Sequence, residues 1–126
     1  MKRLVNISIL LLTLSQYVAA ADITGNFAVW GVGKKSCYGM QKDMAESNVD
    51  KYKDYMKGFF TAYNIFTEKT YSISSNMNET EIMGWIYAYC SENPMSSYES
   101  ALYDFTQDHY EDRSKSAKSQ GRSGSW

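Results

Sequence analysis

At 126 residues, with 44% hydrophobic and 21% charged positions and a formal net charge of −1, the chain has room for one domain and little more. All fourteen acidic residues fall between Asp22 and Asp112 alongside seven lysines, whereas residues 113–126 hold Arg113, Lys115, Lys118 and Arg122 and no acid. An acidic body lacks the cationic face that phosphate binding requires, which excludes nucleic acid as a partner, and the short basic tail does not reverse that.

In chain order, Lys2 and Arg3 precede an apolar run from Leu4 to Leu14, and Val18-Ala19-Ala20 supplies the small residues of a cleavage site. Residues 1–20 therefore read as a secretory signal peptide with a periplasmic destination, and the mature chain is expected to begin at Ala21 or Asp22. The run falls short of the roughly 20 apolar residues that a single-span anchor needs. No later stretch is more apolar, so no stable membrane insertion is expected after cleavage.

Asp22 to Gly33 carries Phe27, Val29, Trp30 and three glycines, which disfavour a helix and predict an irregular lead-in or a short strand. Ser36 can cap a short helix with Cys37, Met40 and Met44 on one face. Ser47 or Asn48 can cap the next, whose stripe of Val49, Tyr52, Met56, Phe59, Phe60 and Tyr63 is the longest amphipathic pattern in the chain. Gly58 inside it suggests the close approach of another backbone. Thr67 to Asn78 is polar and reads as a loop. Asn78 with Glu81 forms a capping box, opening a helix that presents Ile82, Trp85, Ile86 and Tyr89 and ends at Asn93, before Pro94. Ser96 with Glu99 predicts a second box and a helix presenting Tyr98, Ala101, Leu102 and Phe105. Beyond Asp112 the chain is polar and is expected to be disordered.

The expectation is an all-α fold: a small bundle of three main helices and a short one at 21–112, followed by a disordered basic tail at 113–126. Its interior should centre on Met56, Phe59, Phe60, Tyr63, Ile82, Trp85, Ile86, Tyr89, Leu102 and Phe105. Cys37 and Cys90 are the two cysteines. In an oxidising compartment such a pair reads as a structural disulfide, with a redox pair or metal ligation as the competing roles. A redox pair usually sits as C-x-x-C, and zinc requires more partners than the single His109 supplies. No catalytic motif, cofactor fingerprint or metal signature stands out. His109 reads as a solvated residue at a helix end, and the carboxylate pairs Glu79/Glu81 and Asp104/Asp108 as polar-face residues.

Two stretches carry a family likeness: Ser36-Cys37 after the glycine-rich lead-in, and Trp85 to Pro94, a helix ending in Tyr-Cys-x-x-Asn-Pro. Together with the signal peptide, the cysteine spacing and the basic tail, they resemble the HdeA/HdeB family of periplasmic acid-stress chaperones. Small type VI secretion immunity proteins are similar more loosely, in their helical, two-cysteine architecture.

The first resemblance implies a non-enzymatic protein that binds unfolded clients in acid. Carboxylates neutralise near pH 4, self-repulsion loosens the bundle or a homodimer, and the faces around Phe59, Phe60 and Trp85 become available. The second implies an immunity protein or inhibitor that binds one protein partner at neutral pH. Tyr71, Tyr87, Tyr110 and the Thr67–Asn78 loop are the candidate contacts for that role, since aromatic rings supply contact area at low entropic cost.

Overall fold

The computed structural model describes residues 21, 22 and 24–120. The expected signal peptide at 1–20 and residues 121–126 of the basic tail lie outside that range. The chain is helical: a 3-10 turn at Gly31–Lys34, then α1 (Cys37–Ala45), α2 (Asp50–Phe66), α3 (Glu79–Glu92) and α4 (Tyr98–Asp108), and a second 3-10 turn at Ala117–Gln120. The described residues of the lead-in form no strand. Pairing among the described residues is limited to isolated antiparallel bridges at Ser36–Ser97 and Ser72–Ser114. No helix among these residues is long and apolar enough to cross a membrane.

Helix α1 starts as its sequence directs, with the Ser36 hydroxyl accepting from the Gly39 N–H. It ends on a left-handed Ser47 (φ 65°): Ser47 N–H donates to Met44 O and Asn48 N–H to Asp43 O. That is the Schellman pattern, which satisfies the last carbonyls of a helix. Ser47 and Asn48 therefore close α1 and do not cap α2. The N-cap position of α2 is Val49, with no side-chain hydrogen bond. The box at α3 forms fully, with Asn78 Oδ1 accepting from Glu81 N–H and Glu81 Oε2 from Asn78 N–H.

At α4 the cap moves one residue, to Ser97, whose Oγ accepts from Ser100 N–H at 3.1 Å. The main chain around Ser96 serves a different helix. Cys37 N–H donates to Ser96 O at 2.7 Å, Tyr38 N–H to Pro94 O at 3.0 Å, and Tyr98 N–H to Lys35 O at 2.8 Å. The N-termini of α1 and α4 thus satisfy one another's orphan donors, a need every helix start has. The Cys37–Cys90 disulfide ties α1 to α3 beside this lacing.

The core gathers Cys37 and Met40 from α1, Tyr52, Met56 and Phe60 from α2, Ile82, Met83, Ile86 and Cys90 from α3, and Tyr98, Ala101, Leu102 and Phe105 from α4. Six of the ten expected interior residues are buried. Phe59, Tyr63, Trp85 and Tyr89 are half-buried against that core. Helices α1, α3 and α4 pack on one another, whereas among the helical elements the backbone of α2 lies chiefly against the Gly31–Lys34 turn. Large side chains span the remaining distance: Phe60 stacks on Phe105 at 5.0 Å, and Tyr52 meets Tyr98 edge-on at 5.1 Å.

Two expectations change at the far end. The 67–78 loop is anchored by Ile73, which is fully buried and donates its N–H to Asn64 Oδ1 at 2.8 Å. The segment after Asp112, expected to be disordered from Arg113 onward, begins with two buried residues. Arg113 Nε donates to Thr70 Oγ1, and Ser114 exchanges both backbone hydrogen bonds with Ser72. Both contacts lie against the loop, so the folded body runs through Ser114.

Candidate protein-binding site

The expected contact residues do not form one patch. Phe60 is buried in the core, and Phe59 packs on its flank with ring centroids 6.0 Å apart. Trp85 is half-buried, stacked on Tyr89 and edge-on to Phe105. His109 sits at the end of α4 as expected but is half-buried: it stacks on Phe105 at 4.0 Å, and its Nδ1 lies 2.9 Å from Phe105 O. Tyr71 is half-buried, with its N–H donating to Ser114 O. Tyr110 carries the Arg113 guanidinium over its ring at 3.7 Å. Tyr87 is exposed on α3, where Gln41 Nε2 donates to its backbone O.

Two carboxylates hold α2 in place. Asp43 on α1 accepts from Lys51 Nζ at 2.8 Å and from the Tyr52 hydroxyl at 2.6 Å, with Lys35 at 4.0 Å. The Lys51 and Tyr52 hydrogen bonds hold its carboxyl down at about 2. Burial and Asp43 together push the Tyr52 hydroxyl above the ordinary tyrosine range. Glu79, the first residue of α3, accepts from both Lys53 and Lys57 of α2 at 2.8 Å. Those two hydrogen bonds hold it at about 2 as well. Glu81 is occupied in the capping box. Each carboxylate of that expected pair thus has a structural role.

A second feature was not foreseen. The lead-in crosses α2 and α4 and leaves a cleft on either side. The larger, about 530 Å³, is lined by Phe27, Tyr89, Ser96, Glu99, Ser100, Tyr103 and Asp104. The smaller, about 340 Å³, is lined by Ala28, Trp30, Tyr55, Gly58 and Phe59. Gly58 meets no other backbone, contrary to expectation, since a Cβ there would have nothing within 4 Å. Close approach occurs instead at Gly33, where a Cβ would collide with the Tyr55 ring and Val29. Phe27 is 61% exposed and Trp30 78%. Large rings turned to solvent beside concave surface are the usual material of protein contacts.

Within the larger cleft Glu99 is only 8% exposed. Its position in the first turn of α4 suits the helix dipole, but burial still pushes its carboxyl above the ordinary range, and Asp104 adds to the rise. Asp104 also lies beside the Tyr89 hydroxyl and holds it above the ordinary tyrosine range. The eleven tyrosines, five phenylalanines and three tryptophans, and the acids Glu81 and Glu99 near the helix starts, are legible in the sequence. Their convergence depends on where the lead-in crosses, which no local pattern encodes. Neither the family-model scan nor the searches of curated proteins and solved structures found a match for this chain.

Proposed function

We propose that this is an exported, non-enzymatic protein-binding domain whose working step is the release of α2 in acid, in the manner of an HdeA/HdeB-like chaperone. The observation that supports it most is the attachment of α2. This helix stands off from the mutually packed, disulfide-tied group of α1, α3 and α4, and Asp43 and Glu79 tie it to α1 and α3.

Both carboxyls have folded pKa values of about 2, below their ordinary values of 3.8 and 4.5. Their contribution to stability is present above about pH 4 and is lost as pH falls through about 2. The charged groups involved are Lys35 and Lys51 around Asp43, and Lys53 and Lys57 around Glu79, with Asp50 and Asp54 near Lys57. Neutralising the carboxyls leaves these lysines facing one another. Glu99 works in the opposite sense: its raised pKa stabilises the α4 end below its ordinary titration range and is lost as pH rises. Acid therefore weakens the ties of α2 while favouring the region around α4. Release of α2 uncovers Met56 and Phe60 together with the surfaces of Ile82 and Phe105 that they cover.

Light scattering from an acid-aggregating client enzyme at pH 2–3, with and without an equimolar amount of this protein, tests the proposal. Suppressed scattering is expected, and unchanged scattering would contradict it. The runner-up reading, a neutral-pH immunity protein or inhibitor, is favoured by the exposed aromatic rings around the two clefts.

A further inference from the structure

We propose that the cleft between the lead-in and α4 seats the guanidinium of an arginine side chain from a partner polypeptide, held between Glu99 and Asp104 and against the rings of Phe27, Tyr89 and Tyr103. The inference stands apart from acid release, because it uses the lead-in and α4 and operates at neutral pH.

The cleft brings two carboxylates together with no cation. Its lining contains no lysine, arginine or histidine, and no ion pair forms on Glu99 or Asp104 among the described residues. The partners of the nine-tenths buried Glu99 are hydroxyls, those of Ser100 and, at 3.5 Å, Ser97. The Ser97 hydroxyl is already the cap of α4 and also lies 2.8 Å from Ser100 Oγ. A buried carboxylate facing a second one is costly unless a positive group joins them. Asp43 and Glu79, the two carboxylates that tie α2, each accept from lysine, whereas the two in this cleft have only hydroxyl partners among the described residues, Asp104 that of Tyr89.

The rings choose the cation. Aromatic faces attract positive charge, and a planar guanidinium can stack on them while donating in a fork to a carboxylate. The protein already makes that stack once, with Arg113 over Tyr110. At about 530 Å³ the cleft has space for an arginine side chain and the backbone on either side of it. The lead-in continues from Phe27 to Trp30 at the apolar cleft beside it. Aliphatic residues next to the arginine can lie there.

The test uses the disulfide-bonded protein, labelled for amide NMR at pH 7, and three capped tripeptides: Gly-Arg-Gly, Gly-Lys-Gly and Gly-citrulline-Gly. Citrulline keeps the shape of arginine without its charge. The arginine peptide is expected to shift the amides of Tyr89, Glu99, Tyr103 and Asp104 saturably, with at least tenfold weaker binding by the citrulline peptide and weaker binding by the lysine peptide. Glu99→Gln and Asp104→Asn should each weaken the arginine peptide at least fivefold. Glu99→Gln should also raise the melting temperature at pH 7, whereas a purely structural glutamate would lower it. Absent or non-saturable shifts, equal binding of arginine and citrulline, or unchanged binding by both folded variants would overturn the site. Equal binding of lysine and arginine would overturn the guanidinium.

Discussion

Replacing Phe105 by alanine tests the packing on which every other claim rests. Its ring is fully buried and touches aromatic groups on three sides: Phe60 at 5.0 Å, Trp85 edge-on at 5.2 Å and His109 at 4.0 Å. Phe→Ala in a core costs roughly 3–5 kcal/mol, the upper part of the range applying where the walls cannot collapse into the cavity. Here the walls are rigid rings carried by α2, by α3 and by His109 at the end of α4, so a loss of about 4–5 kcal/mol is expected. For a domain of this size that lowers the melting temperature by roughly 16–40 °C, at about 4–8 °C per kcal/mol. Phe105→Leu keeps most of the volume and should cost less than about 1.5 kcal/mol. Denaturant unfolding of both variants, followed by near-UV circular dichroism with the disulfide intact, reads the difference. A Phe105→Ala loss below about 1.5 kcal/mol would refute the ring cluster as the centre of the core.

Three further outcomes follow from single features. Replacing Cys37 and Cys90 together by alanine should cost about 4 kcal/mol on the chain-entropy account of a loop with sequence separation 53, and free thiols in the native protein would remove the basis for it. Gly58→Ala should stabilise by up to about 1 kcal/mol, because the site is helical and open, and a lower denaturation midpoint would show that something covers it. The double variant Asp43→Asn with Glu79→Gln should lose stability at neutral pH and flatten the fall of stability between pH 4 and 2. An unchanged pH profile in urea unfolding would show that these carboxylates do not control it.

Much of the fold could be read from local pattern. The Tyr52–Met56–Phe60 stripe and the Asn78–Glu81 box are set by residues three and four apart, and both appear where the spacing puts them. The failures share a physical cause, which is competition for the same polar groups. Ser47 and Asn48 could serve either the end of α1 or the start of α2, and the left-handed turn at Ser47 gives them to α1. Ser96 was available to cap α4, but docking of α1 uses its carbonyl and Ser97 caps instead. Ile73 is one apolar residue in a polar run, and its burial depends on Asn64 and on Ser114, about forty residues downstream of the loop. The same holds for the candidate sites. Phe59, Phe60 and Trp85 were identified as apolar-face residues, whereas Glu99 and Asp104 gain their meaning only when Phe27 and Tyr103 close around them.

The central claim is that acid frees α2 before it unfolds the rest, and amide NMR between pH 5 and pH 2 measures this directly. The account predicts that resonances of Asp50–Phe66 move to unstructured positions first, while those of α1, α3 and α4 keep their folded shifts. Simultaneous loss of all four helices, or an α2 still folded and packed at pH 2, would contradict it.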